Sequence, residues 1–218
     1  LRANQSTARV VAKIEKLEAL NHLEDIIKVT DAVMVARGDL GVEIDVAETP
    51  IEQKRIIAMC HRFQRPVIIA TQMLDSMQNS RRPTRAEVTD VANAILDGTD
   101  AVMLSNESAA GKYPIVAVET MARIAVIAEE TLRTSGSARQ VVKPNAEGRE
   151  AISDAISQAT CEIADALSCR AIVTSTLTGY TARRVAKERP KTPILCVTPN
   201  EVTVRRMALV WGVSSLLI

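Results

Sequence analysis

Four short polar clusters stand out because each follows an apolar run. They are Lys13 and Glu15, Arg37-Gly38-Asp39, Thr71-Gln72, and Ser105-Asn106-Glu107. If the four runs are neighbouring strands, one rim collects a lysine, several carboxylates and two hydroxyls. Two carboxylates from adjacent strands, with no His or Cys beside them, suit a hard divalent cation such as Mg²⁺, which takes a few carboxylates and completes its shell with water and substrate oxygens. A lysine next to such an ion suits phosphate, because both offset charge on a transferring phosphoryl group. Gly38 lets the backbone approach a ligand closely, and its N–H can bind an anion. The residues therefore point to a Mg²⁺-dependent site for a small phosphorylated or carboxylated substrate.

Each residue also has a plainer reading. Polar strand ends occur on any solvated rim. Lys13 can be a solvated strand-end lysine, Glu15 a cap for the next helix, and Thr71 the start of one. Arg37-Gly38-Asp39 spells an adhesion tripeptide, but that motif acts on exposed loops of extracellular proteins, and no export signal is recognised here. "SNESAAGKY" has the outline of a phosphate loop and fails it: Asn106 stands where the first glycine is needed and Tyr113 where Ser or Thr is needed.

The elements that must position these clusters follow from the pattern. The runs 10–14, 32–36, 66–70 and 101–104 are short, continuous and rich in branched residues, as in strands buried on both faces. Helical spacing lies between them: Ile51, Ile56, Ile57 and Cys60 share one face, and Val88, Val91, Ala92 and Ile95 another. Pro83 followed by Thr84-Arg85-Ala86-Glu87 predicts a capping box. A longer helix is expected over 114–132. Strand alternating with helix implies a parallel sheet, and in a parallel barrel the chemistry sits at the C-terminal ends of the strands. Residues 133–149 are polar, carry Gly and Pro and lack periodicity, so they are expected to be a linker between a first domain at 1–132 and a second at 150–218. In the second domain Ile152, Ile156, Ala159, Ile163 and Leu167 predict a helix. Strands are expected at 171–174 and 194–198 with a helix from Thr181 between them, and "VSSLLI" reads as a last strand. Four strands of one kind make half of an eight-stranded barrel with apolar edges left open, so both ends are expected to be cut.

Composition narrows the function. The chain has 218 residues, 47% of them hydrophobic, which suits one or two globular domains. A net charge of +1 and 2% aromatics give neither a field nor stacking platforms for nucleic acid, and no charge bias toward anionic lipid. Cys60, Cys161, Cys169 and Cys196 show no CxxC spacing, and His22 and His61 form no ligand cluster with them, so buried thiols in a reducing cytoplasm are expected. No apolar run is long enough to span a bilayer.

The blocks "AKIEKLEAL", "VMVARGDLGVEI", "PVIIATQMLDSM", "RRPTRAEVTDVANAILDGTDAVML" and "SNESAAGKYP" resemble successive blocks of pyruvate kinase, in that family's order and spacing. The resemblance covers residues 10–130 closely and continues more loosely from "AIVTSTLTGYT" into the start of the family's C-terminal domain. It implies an α/β fold: the last four strands of a TIM (β/α)8 barrel followed by part of an α/β regulatory domain. It implies phosphoryl transfer from phosphoenolpyruvate to ADP, then protonation of the enolate to pyruvate. Lys13 matches the lysine that stabilises the phosphoryl group, and Glu15 and Asp39 match the protein ligands of Mg²⁺ or Mn²⁺. The N–H groups of Gly38 and Asp39 and the Thr71 hydroxyl match the groups that hold the substrate carboxylate. Thr71 also matches the face on which the enolate is protonated, with Ser105 in the proton relay. Thr176, Thr178 and Thr181 resemble the loop that binds a sugar-phosphate effector, although an ordinary capped strand-to-helix loop would look the same.

The resemblance further implies a cytoplasmic homo-oligomer, a tetramer in the family, that uses K⁺ whose ligands are not in this chain. With the first barrel half and the lid absent, the isolated chain is expected to lack kinase activity. Asn106 and Ser108 depart from the family's Gly and Thr, and Asp45 stands where proline is common. Asn106 is expected to tolerate the left-handed turn that a glycine would make there. Two other readings remain: a different Mg²⁺-dependent barrel enzyme acting on phosphoenolpyruvate or pyruvate, and a catalytically silent regulatory piece.

Overall fold

The computed structural model describes residues 7–134 and 149–218. The chain divides into two compact units, Leu1–Ser135 and Gly136–Ile218. Most of the expected linker, residues 135–148, lies outside the described residues. Arg133 and Thr134 end one long helix and Arg149 begins the next.

In the first unit, β1 (Val11–Ile14), β2 (Ala32–Ala36), β3 (Val67–Ala70) and β4 (Ala101–Met103) form one sheet in sequence order, all neighbours parallel. Between β1 and β2 lie α1 (Leu17–Asn21) and α2 (Leu23–Val29), and between β2 and β3 lie α3 (Arg37–Glu43) and α4 (Thr49–Arg62). A 3₁₀ turn (Asp75–Gln78) and α5 (Arg85–Leu96) lead to β4, followed by α6 (Asn106–Ala109) and α7 (Pro114–Thr134). The inner strands β2 and β3 are buried on both faces, as the continuous apolar runs predict. β1 is an edge strand, and Val11 stays exposed.

The strand starts are tied by a device used twice. The pentapeptide Thr-Asp-Ala-Val-Met occurs at 30–34 and again at 99–103. Thr30 Oγ1 donates to the carbonyls of Val10 and Ala32, both at 2.9 Å, while Asp31 Oδ2 accepts from Val10 N at 2.9 Å. Thr99 Oγ1 does the same to Val67 and Ala101, and Asp100 Oδ2 accepts from Val67 N, again all at 2.9 Å. Each pair therefore staples its own strand to the preceding one and satisfies backbone groups at the sheet's end.

The helices bury the expected faces with one exception. Ile56, Ile57 and Cys60 of α4 and Val91, Ala94 and Ile95 of α5 enter the core. Ile51 does not join them; it points to solvent in the first turn of α4. The capping box at α5 is present, with Glu87 N donating to Thr84 Oγ1 at 3.2 Å and Thr84 N donating to Glu87 Oε2 at 2.7 Å.

The second unit has β5 (Ile172–Ser175), β6 (Ile194–Thr198) and β7 (Val213–Leu217) as a parallel sheet in that order, with α8 (Arg149–Ala166), α9 (Tyr180–Lys187) and α10 (Glu201–Met207). Here the sequence pattern misleads. Ile152, Ile156, Ala159 and Ile163 of α8 and Leu167 just beyond it are exposed, while Asp154, Ser157, Cys161 and Ala164 turn inward. The inward stripe is narrow because Asp154 meets cations there and Cys161 and Ala164 are small enough to let α9 pack closely.

Candidate active site

Lys13 lies in β1, Asp39 in the first turn of α3 directly after β2, and Thr71 directly after β3. Because the three strands are parallel neighbours, their C-terminal ends meet on one rim. Lys13 Nζ stands 2.8 Å from Asp39 Oδ2 and also pairs with Glu15 Oε2. One ammonium thus gathers two carboxylates from adjacent strand ends, and all three side chains remain open to solvent. Hydrogen bonds from Lys13, then contact with Glu15, hold Asp39 below the usual carboxylate range. The same two acceptors, Asp39 first, raise the Lys13 ammonium above its ordinary value.

Beside this group, Gly38 N donates to Thr71 Oγ1 at 2.7 Å, and Thr71 Oγ1 donates to the carbonyl of Ala70 at 2.6 Å. Gly38 and Asp39 lie in the first turn of α3, where helix geometry leaves N–H groups without intrahelical acceptors. A Cβ added at Gly38 would stand 3.3 Å from Thr71 Oγ1. The glycine therefore admits the Thr71 hydroxyl, a different partner from the ligand expected from sequence. Thr71 (φ 67°) and Gln72 (φ 54°) are consecutive non-glycine residues in the left-handed region. For a β-branched residue that is a true outlier costing on the order of 1–3 kcal/mol, and such strain concentrates at functional sites.

Three of the plainer readings do not hold. Glu15 does not cap α1, whose N-cap is Lys16 with no side-chain cap. Thr71 starts no helix, because its backbone is left-handed. Arg37 is 8% exposed, so no adhesion tripeptide is displayed. Its guanidinium lies within hydrogen-bonding distance of Asp90, Gln53, Met73 Sδ and the carbonyls of Thr71 and Gln72.

Glu107, like Arg37, is an expected rim residue that turns inward. Glu107 is buried and accepts from Leu74 N at 3.1 Å and Ser105 N at 2.7 Å, fastening the β4 end to the segment after β3. It is thereby unavailable as a rim ligand, and Ser105 stands at the rim with its backbone fixed by Glu107. Asn106 opens α6 and is not left-handed, so the turn proposed for it is not used. The "SNESAAGKY" segment closes onto the 3₁₀ turn through Lys112 N and the Gln78 carbonyl at 2.8 Å.

Among the described residues no cluster of three or more His, Cys, Asp or Glu forms a ready metal cage. Two carboxylates with an open, solvated face suit Mg²⁺ or Mn²⁺, which keep waters and substrate oxygens. Glu15 and Asp39 fit such an ion, with Lys13 as the cation now balancing them.

Comparison with known proteins shows the family. The family described as "Pyruvate kinase, barrel domain" matches residues 1–118, and "Pyruvate kinase, alpha/beta domain" matches residues 154–218. The chain belongs to the pyruvate kinase family. It is 55% identical over 210 residues to pyruvate kinase 2 of Synechocystis sp., covering 96% of this chain and 34% of that protein. It is 50% identical over 205 residues to the pyruvate kinase of Clostridium acetobutylicum, covering 94% and 43%. The crystal structure of a pyruvate kinase from Cryptosporidium parvum superposes with a TM-score of 0.88 at 40% identity, covering 98% of this chain and 43% of that one. The chain thus spans between about a third and under a half of the pyruvate kinases it matches, and both its parallel sheets fall within the family's two domains. No helix among the described residues is long and apolar enough to cross a membrane.

In the second unit, the β5–α9 loop carries the remaining residues singled out from sequence. Thr176 Oγ1 accepts from Gly179 N at 3.1 Å, and the Thr178 carbonyl accepts from Arg183 Nη1 at 3.1 Å. Thr181 is exposed in the first turn of α9. Two of the three are therefore engaged in shaping the loop.

Proposed function

We propose that this segment supplies the metal and carboxylate side of a site that transfers phosphate from phosphoenolpyruvate to ADP. The single observation that carries the reading is the Lys13 ammonium shared by Glu15 and Asp39 from adjacent strand ends. A magnesium or manganese ion held by Glu15 and Asp39 would supply Lewis-acid charge to the phosphoryl oxygens. Lys13, freed from part of its carboxylate contact, stabilises the same oxygens while a β-phosphate oxygen of ADP attacks phosphorus and the enol oxygen leaves. The substrate carboxylate takes over the N–H groups of Gly38 and Asp39, accompanied by the Thr71 hydroxyl. Thr71, with Ser105 in the relay by family likeness, guides a proton onto the methylene carbon of the enolate, giving pyruvate.

The supporting features are the first turn of α3, whose Gly38 N–H turns to the Thr71 hydroxyl and not to an intrahelical carbonyl, the raised lysine, and the strain kept at Thr71. K⁺, a homo-oligomeric assembly and a sugar-phosphate effector on the Thr176–Thr181 loop belong to the same proposal by family likeness. The isolated chain is expected to be inactive.

Manganese-induced broadening of NMR signals tests the carrying observation directly. Signals of Lys13, Glu15, Gly38 and Asp39 should broaden first at about millimolar Mn²⁺, and Asp39→Asn should abolish this. Broadening centred elsewhere overturns the site. A coupled pyruvate assay should find no turnover in the isolated chain. In a full-length chain carrying these residues, turnover should fall about 10²–10³-fold on Lys13→Met; full activity in that variant refutes the role of Lys13.

A further inference from the structure

We propose that Arg37 is a positioning residue whose guanidinium locks the left-handed corner at Thr71–Gln72 and thereby holds the Thr71 hydroxyl on the Gly38 N–H. What the corner is for rests on the proposed role of Gly38 and Thr71; the lock itself does not.

Arg37 is the residue on which β2 gives way to α3, yet its side chain is buried and runs to the neighbouring strand end. Nη2 donates to the carbonyls of Thr71 at 3.0 Å and Gln72 at 3.3 Å and contacts Met73 Sδ at 2.8 Å. Nη1 donates to Asp90 Oδ1 at 2.6 Å and Gln53 Oε1 at 3.3 Å. Two consecutive left-handed residues send their carbonyls to the same side, and here both converge on one cation. Extended backbone would send them apart, so the cation favours the corner over its relaxed alternative. Asp90 orients the guanidinium from α5, 53 residues along the chain, which makes the lock a three-element joint.

The planar fork is what the joint needs. One nitrogen faces the carboxylate and amide while the other faces the carbonyls, and both must do so at once. A lysine offers one compact charge and cannot span the two sets. Gly38 lies one residue from Arg37, so the same short segment carries both the lock and the N–H that receives Thr71 Oγ1 at 2.7 Å. Thr71 is in effect held from two sides: its carbonyl by Arg37 and its hydroxyl by Gly38.

The test uses the 218-residue chain, isotope-labelled, and reads amide hydrogen exchange at Gly38 together with the Cα and Cβ shifts of Thr71 and Gln72. In Arg37→Lys the Gly38 amide should exchange about tenfold faster relative to Val35 and Ile69, and the left-handed shift signature should disappear. Asp90→Asn, which spares the carbonyl contacts, should give a smaller acceleration of about threefold. Unchanged Gly38 exchange and shifts in a folded Arg37→Lys chain overturn the proposal. Equal acceleration at Gly38, Val35 and Ile69 also overturns it, because that is general loosening. If Arg37→Lys does not fold, the Asp90→Asn chain decides alone: no acceleration at Gly38 refutes the lock. Mn²⁺ titration of the same samples separates the two readings, since absent broadening at Asp39 counts against the kinase site while the exchange result still decides Arg37.

Discussion

The two units solve the same local problem, a parallel strand followed by a helix, and place their charges in opposite ways. In the first, Lys13, Glu15 and Asp39 meet at the strand ends in solvent. In the second, Asp154 of α8 meets Arg184 and Lys187 of α9, with all three side chains under 10% exposed. The Arg184 guanidinium also lies over the Tyr180 ring, 4.7 Å from its centroid. A buried ion group has exchanged hydration for fixed partners, so removing one member strands the others. An exposed one keeps hydration as an alternative and can give up its internal pairing when a ligand arrives. The first arrangement is suited to chemistry and the second to holding two helices together.

Substitution at the buried group should give the largest effect. Asp154→Ala deprives Arg184 and Lys187 of a shared carboxylate and should destabilise the second unit by about 3–5 kcal/mol, read as a shift in urea midpoint. Asp39→Ala should move the urea midpoint of the first unit far less than Asp154→Ala moves that of the second, while abolishing Mn²⁺ broadening. Equal loss of stability from the two substitutions would break the contrast between the regions.

A middle case sharpens the comparison. Glu87 is half-buried at the start of α5 and accepts from Ser76 N and Ser76 Oγ at 2.6 Å each, and from Thr84 N at 2.7 Å. Burial pushes its carboxyl up, but the bonds from Ser76 and Thr84 together outweigh this and hold it below its ordinary value. With the folded-state value depressed, the stability Glu87 supplies is present above the ordinary carboxylate range and is lost as pH falls through the lowered value. Glu87→Ala should cost about 1–2 kcal/mol at neutral pH, as loss of a helix cap does. It should also flatten the acid limb of the stability profile. An unaltered acid limb would show that Glu87 is not the titrating cap.

Much of this was legible in the sequence, for identifiable reasons. The strands at 32–36 and 67–70 show themselves because burial on both faces demands unbroken apolar runs, and α5 shows itself because its cap is local. Lys13, Asp39 and Thr71 stand out in the sequence because they sit at strand ends, where position alone suggests a rim. From the sequence Arg37 and Glu107 read as rim residues, because nothing local says that a charged side chain turns inward. The partners of Arg37 lie 16 to 53 residues away, and those of Glu107 include Leu74, 33 residues away. The left-handed Thr71 and Gln72 carry no glycine to announce them. The α8 pattern marks the helix but not its buried face, for the opposite reason. Periodicity was present, but an ion group and two small residues took the inner face, leaving the isoleucines outside. The repeated Thr-Asp-Ala-Val-Met segment carries a signal of its own: two equal pentapeptides at strand starts imply two equal staples.

The smallest expected effect is on stability at the exposed cluster, and it carries the sharpest sign. Asp39 is held below its ordinary value, so its contribution is present above the usual Asp range and fades as pH falls through the lowered value. Lys13 is raised, so its contribution is present below the usual Lys range and fades as pH rises through the raised value. Between those limits neither group changes charge, and their contribution to stability should be flat through neutral pH. Lys13→Met removes the largest cause of the Asp39 shift, so the carboxyl titration of Asp39, followed by its ¹³C shift, should move upward in pH. Because Lys13→Arg preserves the positive charge beside Asp39, the upward movement in Lys13→Met should exceed that in Lys13→Arg. A titration that stays in place in Lys13→Met would mean that Asp39 owes its low value to the first turn of α3 and not to the ammonium, and the rim would lose its distinguishing contact.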